Sequence, residues 1–396
     1  MKVLKFLSAF LAVALLIFAV IIGLNWTAFK AMFSEPEFFA EGSEWVEKTY
    51  SLTGLSEFIY EAPEFLSLAS INLDDPQDTI LIHADKPRVF GNLYGIFYMM
   101  ELERQIHTGE RSGEELVSLD DIQLFKVPSW YRSRHRQAVS AVAAGADSIS
   151  VQDAITLATR YNNQAAADFL YFYFGAPNMD ALIDSLGNGE IERYAPVAGI
   201  QSAIFLRPEG QSWNEAVDSL RAMDRTAFQR EMREIAQGFA FDEEKRSLIK
   251  DSATPLRQRL LSNEHRTHKL FSRGSAYRLA GITAKIFSGD YISAEASARI
   301  MELMNWPASD PVVRSHIHDY GALYEERHGI LNGIDFGTSV YTDQRIVQVM
   351  LFNDLPNAMW MHMASNYMSQ DYQRRLIYDP ELRNLTRRGS ESAFLP

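Results

Sequence analysis

Cysteine is absent from all 396 residues. That excludes a disulfide framework, a cysteine-ligated zinc site and a thiol nucleophile. Basic charge is also scarce, with 38 Lys and Arg against 51 Asp and Glu and a net charge of −13. A nucleic-acid-binding surface must neutralise phosphates, so that class of function is excluded. No internal repeat, low-complexity tract or Pro/Gly-rich linker divides the chain, which argues against a solenoid and against two independent domains.

Charge is missing altogether from one stretch. Phe6–Leu24 is 19 residues without a charged side chain, preceded by Lys2 and Lys5. At about 1.5 Å per residue it reaches across a hydrocarbon core of roughly 30 Å. Positive charge stays on the cytoplasmic side, so residues 1–5 are expected inside and everything beyond Asn25 outside, in the periplasm or beyond the cell membrane. Gly23-Leu24-Asn25-Trp26-Thr27-Ala28 offers no A-x-A-like cleavage site, so 6–24 is expected to stay as a single-pass signal anchor in the inner membrane.

Residues 25–64 are rich in aromatic and acidic side chains and read as a helical lead-in. Phe65–Leu73 and Thr79–His83 are β-type runs around Asp74-Asp75-Pro76, a hairpin signal. From Leu93 the apolar spacing becomes helical. Ser150 with Asp153 marks a capped helix start, and 211–270 is a series of Arg- and Glu-dense amphipathic helices whose charge is read as a solvated face. Ser275–Met304 is helical with a break at Gly289. Ile334–Thr342 and Arg345–Asn353 read as a second hairpin, and Asn357–Leu376 as one long closing helix, its methionines packing the core. The order predicts an α+β fold, with an antiparallel sheet shared by N- and C-terminal strands, flanking helices and a large all-helical lobe.

That order, with several local strings, resembles the serine β-lactamase and penicillin-binding-protein superfamily, nearest to its class A branch. The strings are Phe90-Gly91-Asn92-Leu93-Tyr94-Gly95 leading to Thr108-Gly109, Ser118-Leu119-Asp120-Asp121, Tyr161-Asn162-Asn163-Gln164-Ala165-Ala166, and Ser185-Leu186-Gly187. The resemblance implies a β-lactamase/transpeptidase-like domain over 65–378, with 211–270 as a helical insertion atypical of the family and 379–396 as a tail.

The chemistry departs from the family. Asn92 stands where the resemblance places the serine nucleophile and Gly95 where it places the lysine of S-x-x-K, and Val89–Leu102 contains no Ser, Thr or Lys to serve in another register. Asn92 at a helix start also reads as an N-cap. Ala195 precedes Pro196 where a deacylating Glu is expected. His318-Asp319-Tyr320-Gly321 is aligned with K-T-G, so Asp319 would repel a substrate carboxylate. Tyr161-x-Asn163 is the motif that survives, although an Asn between helices also serves as a cap.

Two rival signals compete. Ser247–Lys250 is a literal S-x-x-K, a match expected by chance in a chain of this length. His265/His268 and His316/His318 lack an identifiable third ligand, so no metal and no cofactor is assigned. The residues implied to bind ligand are Tyr161, Asn163, His318, Asp319 and Gly321. The expected function is a catalytically inactive, membrane-anchored domain that binds a peptidoglycan fragment or an envelope protein. The alternative is a hydrolase whose site is rebuilt around Tyr161, His318 and Asp319.

Overall fold

The computed structural model describes residues 33–128, 132–255, 260–305, 326–329, 331–339 and 341–392, with four isolated positions at Leu11, Val13, Leu15 and Ile17. The rest of 6–24, the expected anchor, lies outside the described residues. Among those described, no helix is long and apolar enough to cross a membrane.

Five antiparallel strands form the main sheet in the order β2-β1-β9-β8-β7. They are β1 Leu66–Asn72, β2 Ile80–Ile82, β7 Glu326–His328, β8 Gly333–Thr338 and β9 Arg345–Phe352. Between β2 and β7 the chain contributes β3 Arg88–Val89 and β6 Arg273–Gly274, which pair with each other, and β4 Leu116–Ser118, which pairs with β5 Ser148–Ser150. The expected union of the two hairpins is present: β1 pairs with β9 along its whole length, Leu68 opposite Met350 and Ala69 opposite Val349.

Side chains alternate across a strand, and here both faces are covered. Ala69, Phe336, Val347 and Val349 face one apolar core, and Leu66, Leu68, Met350 and Phe352 face a second. Double burial explains why β9 reads Ile-Val-Gln-Val-Met-Leu-Phe, an almost unbroken apolar run. Gln348, the polar member of that run, donates Nε2 to the Gln373 carbonyl at 2.7 Å.

The helices that frame the site and the sheet are α1 Leu52–Glu61, α2 Gly95–His107, α3 Val151–Thr159, α4 Gln164–Tyr173, α5 Val197–Phe205, α6 Ala276–Phe287, α7 Asn357–Asn366, α8 Met368–Tyr378 and α9 Pro380–Ser392. Helices α2 to α4 and α6 build the first core, whereas α1 and α7 to α9 cover the other face of the sheet. Ser150 caps α3 as its sequence implied, accepting from the Asp153 backbone N–H at 3.0 Å. The 211–270 stretch supplies helices Trp213–Arg221, Arg225–Phe241 and Glu243–Ser252, which share a third core with α5 through Trp213, Phe228, Met232 and Phe239.

The expected single closing helix is divided in two. Tyr367 adopts a left-handed backbone, φ 57°, because the Asn366 side chain accepts from the Met368 N–H at 3.0 Å and competes with the helical backbone. Residues 380–392, in the segment set apart as a tail, form α9. Its Leu382 is buried, and its buried Arg383 donates to Asp78 at 2.5 Å and to Ser70 at 2.6 Å.

Candidate functional site

The chain enters α2 through a single 3₁₀ turn, Gly91–Tyr94. Asn92 therefore sits inside that turn and does not cap α2. Its Nδ2 instead donates to the Thr159 carbonyl at 3.0 Å, tying the turn to the end of α3. Gly95 packs against the same residue so closely that a Cβ there would overlap the Thr159 methyl. The ring of buried His328, on β7, would lie 3.6 Å from that Cβ. A side chain at the position aligned with the family's lysine therefore fits only if Thr159 moves.

After α3 the chain turns through Asn162, φ 46°, into α4. Asn163 is buried: its Oδ1 accepts from the Ala166 N–H at 3.1 Å as the cap of α4, and its side chain hydrogen-bonds His135. Tyr161 is partly buried beside Arg160, whose guanidinium lies 5.8 Å from the ring centroid. Neither lines the cleft, although Asn162 between them does.

The opposite wall is Tyr194-Ala195-Pro196-Val197. Buried Asp168, on α4, anchors it by accepting from the Tyr194 hydroxyl and the Val197 N–H, both at 2.8 Å, and from the Ala198 N–H at 2.6 Å. Burial pushes this carboxyl up to about 7, against the downward pull of those hydrogen bonds. Tyr94 and Tyr98, one turn apart on the turn and α2, complete the floor. Tyr94 lies 4.8 Å from Tyr194 between ring centroids, and Tyr98 donates to the Ala167 carbonyl at 2.9 Å.

Asn92, Gly95 and Ala195 therefore converge on one cleft of about 50 Å³. Its described lining contains no charged side chain. Ser272 is its aliphatic hydroxyl, and it is engaged by donating to the Arg193 carbonyl at 3.1 Å and accepting from the Ala195 N–H at 3.0 Å. The described lining thus holds no nucleophile beside a base, the minimum that acyl transfer requires. Burial pushes the phenols of both Tyr94 and Tyr194 well above the ordinary phenol range.

His318, Asp319 and Gly321 lie outside the described residues, and the described strand that reaches Gly95 is β7. Ser247 and Lys250 are exposed on the helix Glu243–Ser252, in the lobe. His265 and His268 have ring centroids 6.3 Å apart, and among the described residues no group of three or more His, Asp or Glu could hold a metal ion.

No protein-family model matches this sequence, and no curated protein does. Solved structures do. The TLA-1 extended-spectrum β-lactamase superposes with a TM-score of 0.50 at 9% identity, over 83% of this chain and 99% of that one. The TLA-3 extended-spectrum β-lactamase gives 0.50 at 10% identity, again over 83% and 99%. The chain has the β-lactamase-like fold. Within this β-lactamase-like domain the tyrosines of the cleft, Asp168 and Ser272 were not singled out by sequence. Tyr94 and Tyr98 do carry a readable sign, since they are spaced i, i+4 from the turn that holds Asn92.

Proposed function

We propose that this β-lactamase-like domain does not form an acyl-enzyme and acts by binding a cell-envelope ligand or protein, held outside the membrane by residues 6–24. The observation that carries the reading is Gly95. The position that the family's lysine would occupy is filled by the Thr159 methyl, so the loss of that lysine is built into the packing. Asn92, whose amide is bonded to the Thr159 carbonyl, supports the same reading from the nucleophile position.

Incubation of the full chain with a labelled penicillin, followed by intact-mass analysis, tests it. No covalent adduct is expected. A stoichiometric adduct overturns the proposal. Fractionation of cells carrying the full chain and a variant lacking residues 6–24 tests the anchor, which predicts loss of the membrane-bound form in the shortened chain.

A further inference from the structure

Helix α7 lies on the surface, yet Asn357–Asn366 contains no Asp, Glu, Lys or Arg. Met359 and Met363 pack its inner face into the second core. The opposite face of such a helix ordinarily carries charged or polar groups. Here it holds Trp360, 42% exposed, and Met361, 45% exposed, with Ala364 and Ser365 one turn on. Exposed Tyr50 extends the patch, its ring edge-on to His362 with centroids 4.3 Å apart. Apolar side chains scattered singly over a surface are ordinary, but adjoining ones on an uncharged helix mark a face built for a partner.

The place of the patch in the fold selects that partner. The lead-in helices Pro36–Ala40 and Ser43–Lys48 hold α7 through their connection: the Ala358 N–H donates to the Glu41 carbonyl at 2.9 Å, and Pro356 fills the space that a Cβ on Gly42 would need. The patch therefore sits where the chain enters the domain, and Phe33 at that entry is also exposed. Eight residues separate Phe33 from Leu24, the last of the charge-free run, and a chain of that length reaches at most roughly 30 Å. A face tethered at such range meets the bilayer surface at high effective concentration, so contacts that are weak alone become occupied. Trp and Tyr rings suit the headgroup level, apolar in body and polar at one end. Glu37, Glu41, Glu44 and Glu47 flank them on the lead-in, against Lys48, which Glu61 holds at 2.8 Å. That balance disfavours an anionic lipid.

We infer that Tyr50, Trp360 and Met361 form a docking face that seats the domain on the zwitterionic lipid surface beside its anchor. This assignment rests on the membrane anchor in the reading above and adds the face that the domain turns to the bilayer.

The absence of cysteine makes the test clean, because one introduced thiol is the only labelling site. The full chain is reconstituted in phosphatidylcholine nanodiscs with a nitroxide on Met361→Cys or, as a control, on Leu248→Cys, exposed on the helix Glu243–Ser252. Collision with a water-soluble nickel complex is expected to be about threefold lower, or less, at 361 than at 248, and the shielding to be weaker in phosphatidylglycerol discs. Adding Trp360→Glu is expected to raise collision at 361 about twofold with the melting temperature unchanged, since the side chain it replaces is exposed. Equal collision at the two sites, shielding that survives Trp360→Glu, or stronger shielding in phosphatidylglycerol overturns the assignment. Shielding accompanied by spin–spin coupling between labels on separate chains gives the face to a second copy and overturns it as well. A chain that fails to co-purify with the discs overturns the anchor and this assignment together. A chain that co-purifies with both labels equally exposed overturns this assignment alone.

Discussion

Thr159 packs its methyl into the space that a Cβ on residue 95 would need, and its carbonyl accepts the Asn92 amide. One residue of α3 thereby fixes both positions at which the family's S-x-x-K chemistry would sit. The double substitution Asn92→Ser, Gly95→Lys should not restore acylation. Overpacking against Thr159 should cost about 1–3 kcal/mol, read as a lower melting temperature, with no penicillin adduct by mass spectrometry. Adding Thr159→Ala should recover part of the lost stability.

Asn163 should behave as a helix cap. Asn163→Ala is expected to lose about 1 kcal/mol of stability, together with its hydrogen bond to His135. Asn163→Asp keeps an oxygen for the Ala166 N–H and should retain the cap. Urea unfolding of the two variants separates them; equal losses would show that capping is not what Asn163 supplies.

The Asp168 carboxyl, raised to about 7 chiefly by burial, makes stability depend on pH. Between roughly pH 4 and pH 7 the folded chain holds a proton there that the unfolded chain has released. Its contribution is fully present below about pH 4 and is lost as pH rises through about 7, with a slope of at most about 1.4 kcal/mol per pH unit. Asp168→Asn should abolish this component of the slope. It should also cost about 1–3 kcal/mol throughout, because an amide nitrogen would then face a backbone N–H or the Tyr194 hydroxyl. Unfolding measured at about pH 5 and about pH 8 for both proteins tests the difference; parallel changes would exclude Asp168 as the source.

Helix α9 should be integral to the domain. Arg383→Met leaves Asp78 with Arg387 at 3.3 Å and the Asn72 amide at 3.1 Å and removes its buried partner, for an expected loss of about 1–3 kcal/mol. Thermal unfolding checks it. A change within error would mean that Arg383 does not hold α9 in place.

Much of the fold was legible because its signals are local. β-type runs and turn chemistry marked β1, β2, β8 and β9, and Ser150 with Asp153 marked the start of α3. The break at Tyr367 was not legible, since an Asn side chain wins against the helical backbone only in a particular local geometry. Asn163 was readable as either a cap or a ligand, and its side chain does cap α4 through the Ala166 N–H.

By itself, the sequence determined what this protein lacks: no thiol, and no Ser, Thr or Lys between Val89 and Leu102. Those facts follow from residue identity alone. The tertiary structure decided how the absences are arranged. It brought Asn92, Gly95 and Ala195 to one cleft, closed the Gly95 position with Thr159, and gathered Tyr94, Tyr98 and Tyr194 around the neutral cavity that remains. That could not be read along the chain, because Gly95, Thr159 and Tyr194 meet only through the packing of α2 against α3 and of the Asp168-anchored wall against both.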